Sequence, residues 1–510
     1  MGLTEFRFFF FAGGVVLLYY VLPKKLQWIV LLMASIVFYA TYGLEKLPLI
    51  LASSLIAYFA AQRMEEIRRE ERNTTAAKTR CKHVLLFSAV ILVALLLYAK
   101  IGAWVIQNIS NLLSREQGNT VQVIVALGVS YYTFSLISYM ADVYRKKDKA
   151  EKNYFRFLLY VMYFPKILQG PISRHDYLAP QLKEEHRFDY NQFCFGLQLM
   201  VWGYFKKLVI ADRLAIFINK VFGNIANETG AHLLVAACFA TFHLYCDFSG
   251  CMDIVGGFSQ CLGLELEKNF NHPFFSKTAA EFWRRWHITL GTWFKDYVLM
   301  PLMISPKLIA IGKKLRARFG PRVGKTFMNV APLIIVWLLT GLWHGTSWNY
   351  VVWGMYWGSM IICSTVFAPE IKHITKLLRI NTEAGSWKIF QMVRTYMLYI
   401  VSRILTSLST LEQFFDMWKQ VLFNFHPEGF FDGSLYTLGL NRPNFILALV
   451  CLFVLWCVSM LQERGSVREK IAESNIVFRW AIYYIAFFSI LVFGIYGPGY
   501  DAAAFVYLQF

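Results

Sequence analysis

The chain has little charge and, over one long stretch, none. No Asp, Glu, Lys or Arg occurs between Thr326 and Pro369, a length sufficient for two passes through the hydrocarbon core of a bilayer. Charged residues make up 16% of the sequence, against about 25% in soluble domains, whereas 57% are hydrophobic. This composition excludes an ordinary soluble domain and predicts an integral membrane protein.

Cysteine is sparse and lacks metal-ligand spacing. The nine cysteines include no C-x-x-C pair, and several lie inside apolar runs, where a thiol behaves as a small buried hydrophobe. The sequence therefore predicts no disulfide framework and no metal site.

Acidic residues are outnumbered, which leaves a net charge of +19. Basic residues cluster in short loops between apolar runs, at 63–82, 145–152 and 307–325, which is the pattern that places loops on the cytoplasmic side. No nucleic-acid recognition motif accompanies the charge, so we expect no nucleic-acid partner.

The apolar runs predict an all-α polytopic fold of about ten to twelve transmembrane helices. We interpret residues 1–510 as a single membrane domain, with N-terminal helices in 1–150, a catalytic core in 151–366 and C-terminal helices in 367–510. The predicted spans are Phe6–Leu22, Trp28–Tyr42, Leu47–Ala61, Val84–Tyr98, Val121–Tyr139, Phe327–Trp343, Trp348–Val366, Phe390–Ser407, Phe445–Met460 and Ile482–Gly497.

The middle of the chain, 153–298, differs because Gly, Pro and charges interrupt its apolar runs. Irregular backbone at membrane depth survives only where protein covers it or where it lines a cavity. We therefore expect re-entrant and interfacial segments there, around a central cavity.

One histidine, His344, lies inside the uncharged stretch. A titratable side chain at such depth is costly unless it faces a cavity or a partner, so we interpret it as a buried functional residue. The alternative is a core histidine whose hydrogen bonds are satisfied at a helix end.

A second histidine, His287, follows a short aromatic segment. Thr278 and Glu281 fit a helix-starting capping box, and Phe282, Trp286 and Leu290 would share one face of the helix that follows. This pattern suits a helix in a polar crevice or, alternatively, an anchor at the membrane surface.

Two further polar groups interrupt an apolar run, Asp247 and Ser249. Asp247 is interpreted as a catalytic carboxylate or, in preference, as part of a helix-breaking turn. Ser249 has no visible His-Asp partner, so no serine triad is proposed. Histidines in or beside charged loops, including His175, are expected to be solvated.

An ordered series of motifs resembles the membrane-bound O-acyltransferase superfamily, and within it the bacterial alginate O-acetyltransferase type. One departure is Lys166, which stands where glutamine is common. The motifs are Ala126–Phe134, Ser138–Tyr144, Phe164–Arg174, Trp202–Lys207, Ala211–Arg213, Asp247–Gly250, Asn269–Phe270, Phe282–His287 and Gly341–Gly345.

The resemblance implies acyl transfer to a hydroxyl, with His344 as the family's essential histidine and His287 as its second active-site position. It implies no bound cofactor, an acyl thioester such as acetyl-CoA or an acyl carrier as co-substrate, and a cell-surface polysaccharide as acceptor. Residues expected to line the cavity or hold substrate are Asn269, Trp283, Arg284, Arg285, Trp286, Trp343, Asp247 and Ser249.

Several roles stay open. His344 is expected to act as the base, and His287, Asn269 or tryptophan N–H groups to stabilise the oxyanion. Arg284 and Arg285 would hold an anionic donor or anchor the helix. The expected partners are the bilayer, an extracytoplasmic acetyltransferase or esterase-like protein and the polysaccharide synthesis machinery, with the chain in the bacterial cytoplasmic membrane.

Three alternatives compete with this hypothesis. D-alanyl transfer to teichoic acid uses related chemistry. A polysaccharide transporter or flippase would explain the interrupted spans but not the tryptophan–histidine pairs. A structural scaffold for a secretion complex is the third.

Overall fold

The computed structural model describes residues 1–72, 74–113, 127–345 and 347–496, and these are helical with no β-strand. Their one β-like feature is an isolated antiparallel bridge between Phe270 and Trp286. The predicted all-α class is therefore confirmed. Residues 121–126 of the fifth predicted span lie outside the described ranges.

The described residues contain seven helices long and apolar enough to cross a membrane, or eight if the bent pair Trp348–Val366 and Ala368–Leu377 forms one span. The chain is thus multi-pass, but this number is below the expected ten to twelve. Two predicted spans are short helices, Phe6–Val21 with 16 residues and Gln27–Ala40 with 14. The seven are Leu44–Glu70, Thr75–Lys100, Tyr190–Phe222, Gly230–Cys261, Pro321–His344, Arg442–Gln462 and Ile476–Phe493.

The first of two compact units comprises Met1–Met200 and Cys251–Glu267. Aromatic rings fill its core, where Phe164 contacts Phe11, Phe38 and Phe258 at ring-centroid distances of 5.3, 5.3 and 5.1 Å. Its helices are Phe6–Val21, Gln27–Ala40, Leu47–Glu70, Thr75–Leu113, Val129–Arg145, Tyr154–Met162, Phe164–Ile167 and His175–Lys183, and Tyr190–Tyr204 begins in it.

The expectation that His175 is solvated is wrong. This residue begins a short helix of the first unit, is buried, and has its Nδ1 2.6 Å from Asp148 Oδ2. The rings of Tyr139 and Tyr160 lie 4.7 and 4.9 Å from the imidazole. The charged loop thus supplies the carboxylate that allows the ring to be buried.

The second unit comprises Val201–Gly250 and the described residues from Lys268 onward. Its helices are Asp212–Phe222, the first part of Gly230–Cys261, Ala279–Arg285, Ile288–Phe294, Met300–Met303, Pro306–Phe319, Pro321–His344, Trp348–Val366, Ala368–Leu377, Gly385–Ser407, Leu411–Phe423, Arg442–Gln462, Val467–Glu473 and Ile476–Phe493. Phe205–Ala211 and Lys295–Leu299 are π-helical. The single-domain interpretation stays a prediction.

The predicted helix break at Asp247–Gly250 is wrong, because the helix Gly230–Cys261 runs through it. Asp247 is fully buried but not isolated, since Lys207 Nζ lies 2.7 Å from its Oδ1 and 2.9 Å from Asp212 Oδ1. The charges that suggested an interruption therefore compensate each other inside the unit, and Lys207 itself belongs to the π-helical segment.

Gly250 allows this helix to approach the π-helical segment closely. A Cβ at this position would lie 2.9 Å from the Gly203 carbonyl oxygen and 3.3 Å from the Lys207 nitrogen. Backbone contact at this distance excludes a side chain without a shift of one helix. Gly250, which the sequence suggested as part of a helix-breaking turn, instead allows two helical segments to pack closely.

We expect Gly250→Ala to lower the midpoint of thermal unfolding of the detergent-solubilised protein, because overpacking costs about 1–3 kcal/mol. Gly14→Ala is the matched control, since Gly14 is also helical and a Cβ there would meet nothing within 4 Å. That control should leave the midpoint unchanged or raise it slightly. Equal midpoints for the two variants would contradict the packing role of Gly250.

Candidate active site

The uncharged stretch forms two helices, Pro321–His344 and Trp348–Val366, as the sequence predicts. Glycines bring them together: a Cβ on Gly341 would lie 2.4 Å from the Tyr350 carbonyl oxygen, and one on Gly354 would lie 2.4 Å from the Trp337 carbonyl oxygen. His344 is the last residue of the first helix and is buried. The close packing therefore holds a titratable ring at a helix end, away from bulk water.

Aromatic rings surround His344. The centroids of Trp343 and Trp353 each lie 4.7 Å from the imidazole centroid, and that of Tyr350 lies 6.4 Å away in a stacked orientation. A histidine among aromatic rings is shielded from solvent, which strengthens its electrostatic interactions with a reacting group.

One serine holds two of the surrounding tryptophans. The indole N–H groups of Trp353 and Trp357 both donate to Ser402 Oγ, at 2.9 and 2.7 Å. Ser402 is buried in the helix Gly385–Ser407. The side of the enclosure formed by Trp353 is therefore fixed by a hydrogen bond as well as by packing.

His287 lies at an elbow between two short helices, not within one helix as expected. Thr278 Oγ1 accepts the N–H of Glu281, as the predicted cap requires. The helix that this cap begins ends at Arg285, two residues before His287. Trp286 is extended, and His287 adopts the left-handed conformation with φ 46° and ψ 52° before Ile288–Phe294 begins. A non-glycine residue in this region is strained, and such residues concentrate at functional sites.

Asn269 holds the elbow from a distant part of the chain. Its backbone carbonyl accepts the N–H of Ile288 at 3.0 Å, and its Oδ1 accepts the N–H and the hydroxyl of Thr289 at 3.1 and 2.7 Å. The bridge between Phe270 and Trp286 continues this pairing. The observed contacts of Asn269 Oδ1 thus position His287, whereas the sequence suggested an oxyanion donor.

The two histidines contact the same indole. The Trp343 ring centroid is 4.7 Å from that of His344 and 5.9 Å from that of His287. His287 is buried, and the ring of Phe248 lies 4.9 Å from it on another side. Burial lowers the pKa of His287 to about 3, so its imidazole is neutral near pH 7. The predicted pair is therefore brought into one aromatic enclosure.

Two other predicted tryptophans build the surrounding wall. Trp286 stacks on Phe282 at 5.5 Å and contacts Tyr399 at 5.3 Å. Trp283 makes edge contacts with three indoles, and its own N–H has no hydrogen-bond partner among the described residues. Trp283 therefore presents a buried donor in the tryptophan cluster.

The two predicted arginines differ. Arg285 pairs with Glu281 at 3.1 Å and with Glu463 at 2.5 Å, and His272 Nδ1 lies 3.2 Å from the same Glu463 oxygen. Arg284 is exposed. The two predicted roles were to hold an anionic donor or to anchor the helix. The ion pairs of Arg285 fit the anchoring role.

Asp247 and Ser249 each contact a lysine that the sequence does not identify as a site residue. Asp247 pairs with Lys207, and Lys206 Nζ donates to Ser249 Oγ at 2.9 Å. Phe248, which lies between them in the sequence, contacts His287. The sequence did contain a signal for these contacts, namely two lysines and an aspartate inside neighbouring apolar runs. Buried charges require partners, so these residues could have been expected to pair.

The sequence of this chain matches one protein-family model and several known bacterial proteins. A model of the membrane-bound O-acyltransferase (MBOAT) family matches residues 82–313, which include His287 but not His344. A probable alginate O-acetylase of Pseudomonas aeruginosa is 28% identical over 421 residues, covering 82% of this chain and 72% of that protein. A peptidoglycan O-acetyltransferase of Helicobacter pylori is 29% identical over 357 residues, 65% of this chain and 62% of that protein. A teichoic acid D-alanyltransferase of Bacillus subtilis is 28% identical over 257 residues, 47% of this chain and 59% of that protein.

We expect Ser402→Ala to lower the thermal unfolding midpoint, because it leaves two buried indole N–H groups without their acceptor, at about 1–3 kcal/mol each. Ser359→Ala is the control, since within the described part of the chain the Ser359 hydroxyl bonds only to the Tyr356 carbonyl, at an exposed position of a helix. A midpoint for Ser402→Ala that matches the control would show that the shared hydroxyl does not support the enclosure.

Acidification should destabilise the fold through His287. Its folded-state pKa of about 3 lies below the unfolded value of about 6.5, so between these values the unfolded state binds the proton and stability falls as pH falls. The slope contributed by this group is about 1.4 kcal/mol per pH unit. In unfolding measured from pH 7 to pH 5, His287→Gln should be less pH-sensitive than the unaltered protein, and an identical pH dependence would contradict this.

Proposed function

Because the chain belongs to the membrane-bound O-acyltransferase family, we propose that this acyltransferase moves an acetyl group from a cytosolic thioester to hydroxyls of a cell-surface polysaccharide. The observation that carries the proposal is the contact of His344 and His287 with one indole inside a buried aromatic enclosure. Two imidazoles in one dry site can serve as a base and as a hydrogen-bond donor in a single acyl transfer.

In the proposed reaction, His344 takes the proton of the acceptor hydroxyl as its oxygen attacks the thioester carbonyl carbon. The carbon–oxygen bond forms, the carbon–sulfur bond breaks, and the imidazolium returns the proton to the departing thiolate. His344 ends its helix, where the partial negative charge of the last carbonyl groups favours the transient imidazolium. General-base catalysis of this kind is worth about 10²–10⁴ in rate.

The developing oxyanion needs donors that are already in place. A neutral His287 carries one N–H, and its elbow is held by Asn269 and Thr289, so little reorganisation is needed during the reaction. The buried N–H of Trp283 is a second proposed donor. In this scheme Asn269 acts by positioning His287 and does not contact the substrate.

The donor and its recognition are also proposed. Acetyl-CoA or an acyl carrier carries phosphate groups, and an exposed arginine recognises phosphate through several N–H groups. Arg284 is exposed, whereas Arg285 is engaged by Glu281 and Glu463. Of the two arginines, we therefore assign donor binding to Arg284.

The acceptor and the partners are inferred from the relatives. Two of them are named for O-acetylation of alginate or of peptidoglycan, and the alginate relative aligns with 82% of this chain. We infer a place in the bacterial cytoplasmic membrane, with polysaccharide synthesis machinery and an extracytoplasmic acetyltransferase or esterase-like partner. D-alanyl transfer is the second possibility, supported by a relative that aligns with 47% of the chain. The family match favours acyl transfer over the transporter.

The test uses purified full-length protein in liposomes, with radiolabelled acetyl-CoA on one side and a polysaccharide acceptor with its extracytoplasmic partner on the other. We expect His344→Gln to lower the rate of acetyl transfer by about 10²–10⁴ and His287→Gln to lower it by about 10² or more. His373→Gln, which alters an exposed histidine of the same unit, should stay within twofold of the unaltered protein.

The outcomes separate the alternatives. Transfer of label from a D-alanyl carrier thioester, but not from acetyl-CoA or an acetyl carrier, would replace the acetyl proposal with D-alanylation. Movement of polymer without thioester consumption would support the transporter. Full acetyl transfer by His344→Gln would overturn the proposed mechanism.

A further inference from the structure

Three side chains that the proposed acyl transfer does not use form a hydrogen-bonded series in the second unit. Glu228 Oε2 lies 2.8 Å from His232 Nδ1, and His232 Nε2 lies 2.8 Å from Ser434 Oγ. A carboxylate can only accept, so it fixes an imidazole proton on Nδ1 and leaves the lone pair of the neutral ring on Nε2, facing the hydroxyl. Carboxylate, imidazole and hydroxyl in this order are the arrangement of a serine nucleophile and its general base.

The exposure of the three side chains differs as such a series requires. Glu228 and His232 are buried, at 7% and 8% exposure, whereas Ser434 is half-buried. The imidazole and its carboxylate are thus shielded from water, which strengthens the interaction between them. The hydroxyl stays within reach of a reactant that approaches from the surface.

A tight turn carries the hydroxyl. Ser434 begins the short 3₁₀-helix Ser434–Thr437 and follows Gly433, which has a φ of 87°. Asp432 Oδ1 accepts the backbone N–H of Ser434 at 2.8 Å and lies 2.5 Å from its Oγ. This exposed aspartate therefore fixes the position of the serine and competes with His232 for the hydroxyl proton. A rotation about the Cβ–Oγ bond of Ser434 turns that proton towards Nε2.

The loop that carries the serine passes close to the imidazole at Gly429. A Cβ at this position would lie 3.3 Å from His232 Nε2 and 3.4 Å from Thr229 Oγ1. Any side chain here would crowd the ring nitrogen that faces Ser434, so glycine keeps that nitrogen for the hydroxyl. Thr229 Oγ1 accepts the backbone N–H of His232 at 3.4 Å, which leaves its own proton to donate to an oxyanion beside the ring.

The series lies at the same end of the second unit as His344. That histidine ends a helix that begins in the basic segment 307–325, which the sequence places in the cytoplasm. Asn349, five residues after His344, donates to the Leu408 carbonyl at 2.8 Å. The chain that continues from Leu408 reaches Asn424, whose carbonyl accepts the N–H of Gly230 at 2.8 Å. Gly230 lies two residues from His232, so the series is on the extracytoplasmic side.

We propose that Ser434, His232 and Glu228 form a second acyl-transfer site, in which Ser434 takes an acetyl or similarly short acyl group as an ester. Ser434 Oγ attacks the carbonyl carbon of an ester or thioester, a new carbon–oxygen bond forms, and the bond to the departing alcohol or thiol breaks. The serine proton passes through His232 Nε2 to that leaving group. Water or a sugar hydroxyl then attacks the acyl-serine, and its proton returns through the imidazole to Oγ. Only the source of the acyl group, the site at His344, rests on the proposed function.

The test treats purified full-length protein in detergent with a fluorophosphonate probe, which labels activated serines, and separately with p-nitrophenyl acetate. We expect peptide mass spectrometry to find the adduct of each reagent on Ser434. His232→Gln should lower the rate of labelling by at least about a hundredfold, and Glu228→Gln by at least about tenfold, because each removes part of the activating series. Both reagents carry their own leaving group, so a negative result leaves the proposed reaction at His344 untouched.

The same loop offers a matched control. His426 Nδ1 lies 2.8 Å from Glu428 Oε1, and among the described residues this histidine makes no hydrogen bond to a serine. His426→Gln should therefore leave the rate of labelling unchanged. Asp432→Asn removes the charge that competes for the hydroxyl proton and keeps an acceptor for the Ser434 N–H, so it should label at least as fast as the unaltered protein. Mapping the adduct in the unaltered protein requires no variant to fold.

Three results would overturn the proposal. No adduct on Ser434, under conditions that label a known serine esterase completely, would show that the hydrogen bonds only hold the loop. Equal rates for His232→Gln and the unaltered protein would show that the imidazole does not activate the hydroxyl. Loss of labelling in Asp432→Asn would assign the activation to the aspartate instead of His232.

Discussion

The indole of Trp343 contacts both imidazoles, and the geometry of the site depends on how the groups around that indole are held. On one side, Ser402 accepts hydrogen bonds from Trp353 and Trp357, and Trp353 contacts His344. This hydroxyl gives two large rings a fixed orientation that packing alone leaves less determined. His344, the proposed base, is thus supported by residues to which no chemical step is assigned.

On the other side, His287 depends on contacts made far from it in sequence. Asn269 holds the left-handed elbow, and Phe248 packs against the imidazole while its neighbour Asp247 is paired with Lys207. An ion pair inside an apolar unit therefore fixes the helix that forms one wall of the site. Buried pairs add little net stability but penalise the loss of one partner, which suits a positioning role.

The sequence predicts features that depend on local patterns. The absence of charge predicts two helices, and Trp348–Val366 has the bounds expected for it. Spacing predicts the Thr278 cap, and the cost of burial singles out His344. Two predictions that were wrong concern features held by residues distant in sequence. Asn269 holds the elbow at His287, and Lys207 pairs with Asp247 in the continuous helix that contains Gly250. Ser402 gives no signal, because a serine in an apolar helix is common and its two indole partners lie on another helix.

The ion pairs of Arg285 tie the elbow segment to the end of the helix Arg442–Gln462 through Glu463, to which His272 is also bound. Although the family match ends at residue 313, the late part of the chain is therefore mechanically joined to the loop that carries His287. Recombination among relatives must respect this link. A chimera that exchanges the C-terminal helices but not residues 272 and 285 would separate Glu463 from both His272 and Arg285. The segment that carries His287 would then lose its ion pair with the C-terminal helices.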